Sequence, residues 1–557
     1  MRRSNHLWLI VAWVISPALQ LALFAQPAPP PAQSFRISGT VVSSLTGQPL
    51  GHADIQIGVA ASADASQRVI TNDDGHFEFS GLSPGKYWLR GSRGGYTRQG
   101  FDEHEGYFTA IAVGAGLNSE GLIFRLRPDA SISGAIVDEQ NEAVRDAQVS
   151  LFRDGIAEGR RKIIFVAQAN SDDQGRYKFS GLRPGSYYVA VSARPWYAEM
   201  AQERRFRFRG GMQQGADDNP DNEPNPAFNL AYPLTYYSSV TDPRSATPVV
   251  VKADDRANAD IALAPVHALS LRIHDPDISQ GGQFSANVEQ ILFQGRALPV
   301  PQDVRTRNGE IDITGLAPGE FSLRVQTFGN EGRQSKSWSM PVTLTGDADV
   351  SVPGAASFPI TGVVTVGGMA PGRAGYIQLR DRASGNSCSG QISAKGDFEI
   401  PAAEVRPGTY DITVGGAAGS IVSVSATGAK VIGQSIVVNG TTPVRLSVSM
   451  SQNLATIDGI ALREQAPVAG AMIVLVPSDP EKNYALFRRD QSDSDGTFSL
   501  REILPGNYTL VAIENGWDLE WANPSLIRGY LSDGTKVEVA SGRKYRIQAK
   551  VKSANAH

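Results

Sequence analysis

One short phrase recurs along the chain, and it constrains the fold more than any other feature. FSGLSPGKYWL at 79–89 returns as FSGLRPGSYYV at 179–189, and looser copies read ITGLAPGEFSL, EVRPGTYDIT and REILPGNYTL. Each copy keeps a Pro-Gly pair, and an aromatic residue follows two places later. The pairs are Pro84 and Gly85, Pro184 and Gly185, Pro318 and Gly319, Pro407 and Gly408, and Pro505 and Gly506. The recurrence of one phrase at five places along the chain indicates a repeated structural unit.

A second shared element stands upstream of each Pro-Gly pair. It is a glycine followed by alternating apolar residues, as in DDGHFEF, and it precedes the Pro-Gly glycine by 10 residues in most copies. Alternation with a period of two is typical of a strand with one buried face. Asp-Gly supplies the positive φ of a tight turn, and Pro-Gly matches the two central positions of a type II turn. The phrase therefore predicts a strand, a turn and a strand.

Each copy is also preceded by an opening strand and followed by a closing one. ISGTVV, ISGAIV, ITGVV and IDGIAL open the other units, whereas the third unit offers only LSLRI and lacks the glycine. Short strands with turn signals about every ten residues predict antiparallel β-sandwiches. The predicted fold class is all-β, with five tandem modules arranged like beads and with junctions modest enough to leave some flexibility.

The repeats and the N-terminal composition together divide the 557 residues into segments. The predicted boundaries are 1–25 for a signal peptide, 26–35 for a Pro-rich linker, 36–128 for module one, 129–266 for module two with a long insertion at about 195–246, 267–353 for a degenerate module three, 354–451 for module four and 452–553 for module five.

The N-terminus carries Arg2 and Arg3 before an apolar run from Leu7 to Phe24, which predicts a secretory signal peptide cleaved after Ala25. The alternative is an uncleaved anchor, because the run is just long enough to span a bilayer. Both interpretations export the rest of the chain. No later stretch is long and apolar enough to be a second membrane span.

Cysteine count and charge narrow the remaining possibilities. The single cysteine, Cys388, has no intramolecular disulfide partner, and we interpret it as a small buried apolar residue. The net charge of −4 argues against a general nucleic-acid binder, which would show a strongly basic domain.

The pattern I-x-G-x-V, then D-x-x-G-x-F-x-F, then L-x-P-G-x-Y-x-V resembles the carboxypeptidase regulatory-like domain. That domain is a small prealbumin- or transthyretin-like β-sandwich with a carbohydrate-binding-like fold. The resemblance is clean in units one, two and five, fair in four and poor in three. The residues of this pattern occupy turns and cores, so the resemblance implies the fold more than an activity. It also implies an exported bacterial protein, with accessory folds of the kind appended to peptidases, surface proteins and TonB-dependent outer-membrane receptors.

The sequence offers no catalytic or metal-binding pattern, and neither an enzyme nor a cofactor is predicted. None of the seven histidines begins an H-x-x-E or H-E-x-x-H pattern. A nucleophile elbow, a P-loop and a dinucleotide fingerprint are also absent from the sequence. FDEHEGYF crowds Asp102, Glu103, His104 and Glu105, but we expect a solvated loop there. SDSDG resembles the start of a calcium loop, yet it falls on the shared hairpin turn.

Aromatic residues supply the candidate ligand-binding positions, because sugars stack their apolar faces on exposed rings. The candidates are Trp196, Tyr197, Tyr236, Tyr237, Trp517 and Trp521. The alternative is that these rings pack over the ends of their own sandwiches. The insertion of module two also alternates Arg and Phe from Arg205 to Arg209, which fits either a strand with a basic face or a loop that grips an anionic or sugar ligand.

The expected function is that of an exported, non-catalytic binding or scaffold protein of the periplasm, outer membrane or cell surface. Its expected partner is polysaccharide or another envelope protein, with no nucleic acid and no membrane span in the mature chain unless the N-terminal segment is retained. Two alternatives stay open: a pure structural spacer of the cell surface, or an accessory subunit of a peptidase or a TonB-dependent receptor system. Glycan binding predicts exposed, coplanar rings at Trp196 and Tyr236, or at Trp517 and Trp521.

Overall fold

A computed structural model of the chain describes residues 34–60, 62, 64–65, 67–198, 228–274, 283–293, 296–307, 310–328, 336–351, 359–382, 387–401, 405, 407–417, 419–439 and 442–554. The predicted signal peptide, most of the Pro-rich linker and the Arg205 to Arg209 stretch lie outside the described residues, and they stay predictions. The described chain is all-β apart from short helical stretches, which include the eight-residue helix α1 (Pro524–Leu531) inside module five and a helical turn at 196–198. No described helix is long and apolar enough to cross a membrane.

Modules one and two each contain two packed sheets, and module two has a further two-stranded sheet. The strands of module one are β1 (Phe35–Ser43), β2 (Asp54–Val59), β3 (Gln67–Ile70), β4 (His76–Leu82), β5 (Gly85–Arg93), β6 (Tyr96–Gly100), β7 (Ile111–Val113) and β8 (Leu122–Leu126). Those of module two are β9 (Ala130–Val137), β10 (Gln148–Ala157), β11 (Arg160–Asn170), β12 (Arg176–Leu182), β13 (Gly185–Ser192), β14 (Leu230–Ala231), β15 (Thr235–Tyr236), β16 (Val249–Val251), β17 (Arg256–Asn258), β18 (Ile261–Ala262) and β19 (Val266–His267). Short 3-10 helices occur at Pro243–Ser245 and, in module five, at Tyr484–Leu486.

Module three repeats this two-sheet plan, whereas the strands of module four are hydrogen-bonded into one nine-stranded sheet and those of module five into one eight-stranded sheet. Module three has β20 (Leu269–His274), β21 (Gln283–Leu292), β22 (Arg296–Pro299), β23 (Asp303–Arg307), β24 (Glu310–Leu316), β25 (Gly319–Phe328), β26 (Lys336–Leu344) and β27 (Ala348–Ser351). Module four has β28 (Ile360–Val366), β29 (Gly375–Asp381), β30 (Ser387–Ile392), β31 (Asp397–Ile400), β32 (Gly408–Gly415), β33 (Ser420–Thr427), β34 (Lys430–Ile432), β35 (Ser435–Val438) and β36 (Val444–Ser451). Module five has β37 (Ala455–Arg463), β38 (Ala466–Pro467), β39 (Met472–Pro477), β40 (Arg488–Gln491), β41 (Thr497–Ile503), β42 (Gly506–Glu514), β43 (Thr535–Val539) and β44 (Lys544–Ser553).

Each module is built around its own cluster of buried apolar side chains. The buried members of these clusters lie within 37–126, 130–263, 271–344, 360–450 and 455–551. Cys388 is buried in the fourth cluster, which confirms its interpretation as a small apolar residue. Because no cluster of this set borrows a buried residue from another module, each sandwich can exclude water on its own.

The opening strand of every module has the same two neighbours. It pairs antiparallel with the strand that follows the Asp-Gly turn and parallel with the closing strand. The pairs are β1 with β4 and β8, β9 with β12 and β17, β20 with β24 and β27, β28 with β31 and β36, and β37 with β41 and β44. Apart from this pair, the described parallel pairings are β9 with β18 in module two and β42 with β44 in module five, and the other described pairings are antiparallel.

The parallel closing strand explains why the opening strands of modules one, two, four and five all contain a glycine. A Cβ on Gly39 would lie 2.2 Å from the Leu122 carbonyl oxygen, and one on Gly134 would lie 2.2 Å from that of Ala259. Only a residue without a Cβ tolerates such an approach. Module three places Ile273 there, and it faces Ile311 instead of the ring that the other modules have. Two medium-sized side chains therefore replace a glycine and an aromatic ring.

The Asp-Gly turn adopts the predicted conformation. Gly75, Gly175 and Gly496 have φ of 72°, 71° and 78°, which lie in the left-handed region that glycine favours. A Cβ on Gly75 would also meet the Val41 carbonyl oxygen at 2.6 Å. The predicted left-handed glycine is therefore confirmed, but in modules one and two the turn joins strands of different sheets and does not close a hairpin.

The Pro-Gly prediction is wrong in detail. Gly85, Gly185 and Gly506 have φ of 158°, 157° and 156°, whereas a type II turn needs about +80°. The reason is that β4 and β5 belong to different sheets, so the Pro84 connection crosses the sandwich instead of closing a hairpin. The left-handed glycine lies earlier, at Gly81, where φ is 71° and the β1–β4 register shifts by a bulge.

The aromatic residue after Pro-Gly fastens this crossing. The hydroxyl of Tyr87 donates to the Ser83 carbonyl at 3.0 Å, and the hydroxyl of Tyr187 donates to the Arg183 carbonyl at 2.6 Å. Tyr508 repeats the bond to the Leu504 carbonyl at 2.9 Å. The ring fills the core while its hydroxyl satisfies a backbone acceptor of the connection.

The modules are not arranged like beads, because module five folds back on to modules one and two. Groups 383 residues apart in sequence are hydrogen-bonded, since the Ala110 backbone amide donates to the Asp493 carboxylate. Modules two and three share an apolar cluster that includes Phe152, Tyr236 and Leu292. The expectation of a bead-like arrangement is therefore wrong for these junctions, since specific contacts join the modules.

Candidate functional site: the junction of modules one, two and five

The FDEHEGYF segment of module one forms a sharp hairpin. The His104 amide donates to the Tyr107 carbonyl at 2.7 Å, and the Tyr107 amide donates back at 3.0 Å. Between them, Glu105 and Gly106 have φ of 53° and 84°, the signature of a type I′ turn. This hairpin projects Glu105 from module one toward module five.

Arg489 of β40 receives the hairpin tip. Its side chain is fully buried, and Nη1 forms an ion pair with the Glu105 carboxylate. The guanidinium carbon also lies 4.4 Å from the centre of the Tyr107 ring, a cation–π geometry. Burial raises the pKa of Glu105, and Arg489 opposes that shift. The expectation of a solvated loop is therefore wrong, because Glu105 is paired with a buried arginine from a distant part of the sequence.

Trp517 extends the same contact surface. Its ring stacks on His104 with a centroid separation of 3.7 Å and an interplanar angle of 10°. Burial lowers the pKa of His104, and the Asp102 carboxylate opposes the shift. Trp521 is 7% exposed and packs in an apolar cluster with Phe487 and Ile527. We call Arg489, Gln491, Trp517 and Trp521 the socket.

Backbone and polar side-chain hydrogen bonds extend the junction from Gln491 of the socket along module one. The Gln491 amide nitrogen donates to the Asp102 carbonyl at 2.7 Å and to the Thr109 hydroxyl at 2.9 Å. Farther along, the Ser494 amide donates to the Ala110 carbonyl at 2.9 Å. Asp493 accepts from the Ala110 amide at 3.1 Å and forms an ion pair with Lys86. The SDSDG turn thus binds module one, a use that its resemblance to a calcium loop does not suggest.

Module two holds the other side of module five. The Arg160 guanidinium lies 4.0 Å from the centre of the Tyr484 ring, and the Tyr484 hydroxyl donates to the Glu158 carbonyl at 2.5 Å. The Ala522 amide donates to the Gly159 carbonyl at 2.9 Å. Modules one and two are themselves joined by a 2.8 Å ion pair between Glu103 and Arg183. Module five therefore docks on a composite face.

An open cleft of about 630 Å³ lies where module one meets the outer sheet face of module five. Lys86 forms one wall, and Asp458, Ser499, Arg546 and Gln548 line the sheet face. Arg546 and Gln548 are exposed and lie two residues apart, on the same face of β44. The lining also includes Ile460, Phe498 and Ile547, so the cleft combines apolar surface with charges of both signs.

The other predicted ligand-binding rings lie in module two. Tyr236 is 1% exposed and packs against Phe293 of module three, with ring centres 5.4 Å apart. Tyr237 is half-buried against the core of its own module. The predicted pairs of exposed, coplanar rings are therefore wrong, because Tyr236 and Trp521 serve as packing residues and Trp517 is covered by a histidine ring.

Trp196 and Tyr197 differ from these buried rings. Trp196 is 56% exposed, and its ring centre lies 5.7 Å from that of Tyr197 in an edge-on arrangement. The Tyr197 hydroxyl donates to Glu139 at 2.9 Å, which fixes the ring. Burial and that bond raise the pKa of Tyr197 to about 12. Phe228, 45% exposed, lies beside Tyr197.

Within the described ranges, no three histidine, cysteine or carboxylate side chains converge as a metal site would require. Sequence reasoning missed Glu105, Arg489 and Gln491. The one local signal was Glu-Gly flanked by His and Tyr, which is compatible with a type I′ turn, but nothing near Arg489 in sequence indicates its partner.

Comparison with known proteins gives one family. The model of the carboxypeptidase regulatory-like domain matches residues 36–125 and 131–203. No curated protein matches the chain.

Several solved structures show weak likeness. The Bacillus anthracis TIE protein is 10% identical with a TM-score of 0.16, over 94% of this chain and 76% of that chain. Shaft pilin SpaA from Lactobacillus rhamnosus GG is 13% identical with a TM-score of 0.19, over 42% and 98%. BcpA, the major pilin subunit of Bacillus cereus, is 10% identical with a TM-score of 0.14, over 77% and 100%. Scores this low carry no argument about function. The family match and the strand plan of modules one and two agree, and residues 36–125 and 131–203 are similar to carboxypeptidase regulatory-like domains in tandem.

Proposed function

We propose that this chain is an exported, non-catalytic scaffold whose modules are clamped into one arrangement by the docking of module five. The observation that carries the proposal is the ion pair between Glu105 and the fully buried Arg489. A buried cation left without its partner costs several kcal/mol, roughly 3 to 5. A junction organised around such a pair therefore favours one relative placement of the modules.

Small-angle X-ray scattering tests the clamp. Arg489→Met leaves Glu105 buried without a cation, so we expect module five to separate and the radius of gyration to increase. Arg528→Met is the matched control, because that arginine is exposed on α1. An unchanged radius for Arg489→Met in a folded protein would show that the pair does not hold the arrangement.

The scaffold would act in the periplasm, outer membrane or cell surface, with polysaccharide or another envelope protein as its partner. The exposed Trp196, with Tyr197 fixed beside it, supports a polysaccharide contact at module two. Retention on a polysaccharide panel tests this second function. Trp196→Ala should abolish retention, while Tyr376→Ala, an exposed ring in module four, should not. No retention of the unmodified chain on any polysaccharide would leave the scaffold function alone.

The proposal assigns no catalytic step to the chain. A peptidase assay with and without zinc tests that point, and zinc-dependent turnover by the purified protein would contradict it.

A further inference from the structure

Two junctions of this molecule differ in chemistry. Modules two and three share an apolar cluster in which Phe152, Tyr236 and Leu298 are buried. The junction of modules one and five contains ion pairs, carbonyl bonds and ring stacking, and the apolar cluster beside the socket has buried members only from module five. Polar interfaces resemble those of transient complexes, whereas apolar ones resemble a divided core. The clamp is therefore the separable junction.

Separation would leave every core intact. The buried members of the module one cluster all lie within 37–126, and those of module five within 455–551. Opening exposes Glu105 and Arg489, which water can solvate, together with the socket rings, but no described apolar cluster has buried members from both modules. Module five can thus separate from modules one and two while it remains folded.

The connection that carries module five is short. β36 ends at Ser451 and β37 begins at Ala455, so three residues, Gln452 to Leu454, join the two modules. Gln452 and Asn453 are exposed. Short hinges favour the exchange of identical elements between copies of a chain, because a changed hinge angle carries the element to a neighbour without altering its contacts.

We propose that the hairpin of module one and the socket of module five form an exchangeable clasp that joins two copies of this chain. In the exchanged dimer, Glu105 of each copy would occupy the socket of the other, and Arg160 of each would stack on Tyr484 of the other. Docking within one chain is favoured at low concentration, since tethering supplies an effective concentration of about millimolar. Crowding at a surface shifts the balance toward exchange. This inference rests on the proposed clamp.

Complementary charge reversal tests the exchange directly. Glu105→Arg places two cations at the junction, and Arg489→Glu places two carboxylates there, so neither variant can close alone. In a mixture, both exchanged junctions regain one cation and one carboxylate. Size-exclusion chromatography with light scattering should therefore show single-chain mass for each full-length variant alone and a doubling of mass on mixing.

The double variant Glu105→Arg/Arg489→Glu distinguishes the clamp within one chain from the exchange between two chains. It should be monomeric and as compact as the unmodified chain, because both reversals meet within one molecule. A compact double variant with no dimer in the mixture would overturn the exchange and leave the clamp standing. An expanded double variant would overturn both.

A second reversed pair guards against a folding failure at the buried site. Lys86→Asp and Asp493→Lys act on a less buried ion pair of the same junction, and their side chains are 36% and 15% exposed. Their mixture should also double in mass. If neither pair of variants dimerises while all remain folded, the exchange does not occur.

Discussion

Glu502 in module five occupies the backbone position that Gly81 occupies in module one. Both residues lie at the bulge before the crossing, with φ of 55° and 71°. Modules two and three also have glycine there, at Gly181 and Gly315. The left-handed conformation costs a non-glycine residue about 1 kcal/mol or more, so module five carries strain that three other modules avoid.

Replacing Glu502 with glycine should therefore stabilise module five by about 1 kcal/mol. Denaturant unfolding followed by tryptophan fluorescence measures the change. Gly81→Ala is the reverse experiment, because no atom lies within 4 Å of the added Cβ and only the backbone conformation is changed. If both variants were as stable as the unmodified chain, the assignment of strain to this bulge would be wrong.

Gly39→Ala should destabilise module one by about 1 to 3 kcal/mol, because its Cβ would overlap the Leu122 carbonyl and push the closing strand away. Thermal unfolding of the full chain measures the loss as an earlier transition. Gly94→Ala, where the added Cβ meets no atom within 4 Å, should leave that transition in place. Loss of stability in the control alone would contradict the argument.

Tyr187→Phe should cost about 1 kcal/mol, because the Arg183 carbonyl loses its 2.6 Å hydroxyl donor while the ring remains in the core. Equilibrium unfolding measures the difference. Tyr188→Phe in the next position is the matched control, since its ring packs beside Phe293 at the neighbouring junction. A larger effect at Tyr188 than at Tyr187 would place the stabilisation elsewhere.

The stability of module five should depend on pH through Asp490. Burial raises its pKa to about 6, although backbone bonds from Ser499 and Gln491 oppose the shift. The folded state thus holds this proton more tightly than the unfolded state. Its contribution to stability is fully present below the ordinary carboxyl pKa and is lost as the pH rises through about 6.

Asp490→Asn should flatten this part of the stability profile between pH 4 and 7, which chemical denaturation at several pH values can measure. Burial also raises the pKa of Glu105 and of Asp493, so they act in the same direction, whereas the lowered pKa of His104 acts against them. Asp518→Asn, an exposed position, is the control. An unchanged profile in Asp490→Asn would assign the dependence to the other groups.

Sequence patterns predicted the parts of this fold that depend on neighbours in the chain. Alternation in HFEF specified a strand, and the glycine at Gly75 specified a left-handed turn. The crossing at Pro84 was misassigned because a hairpin and a passage between sheets need similar residues at the bend. What separates them is the pairing of β4 and β5 with different partners, which local letters do not contain.

The junction depended on contacts that no local pattern contains. Glu105 and Arg489 are 384 residues apart, and each stands in a charged stretch that resembles a solvated surface. The same limit explains Tyr236 and Trp521, since an aromatic ring serves equally for packing and for binding until its surroundings are known. The roles of these residues depend on which distant residues cover them, and residue type alone does not indicate that.

The parallel pairing of opening and closing strands has a mechanical consequence. Two neighbouring strands that run in the same direction let the chain enter a module at one end and leave it at the other. In module five the seven residue pairs from Thr456–Lys544 to Leu462–Lys550 lie side by side along this path. Tension applied between entry and exit would load their hydrogen bonds in shear, all together, so that rupture requires the whole ladder to fail at once.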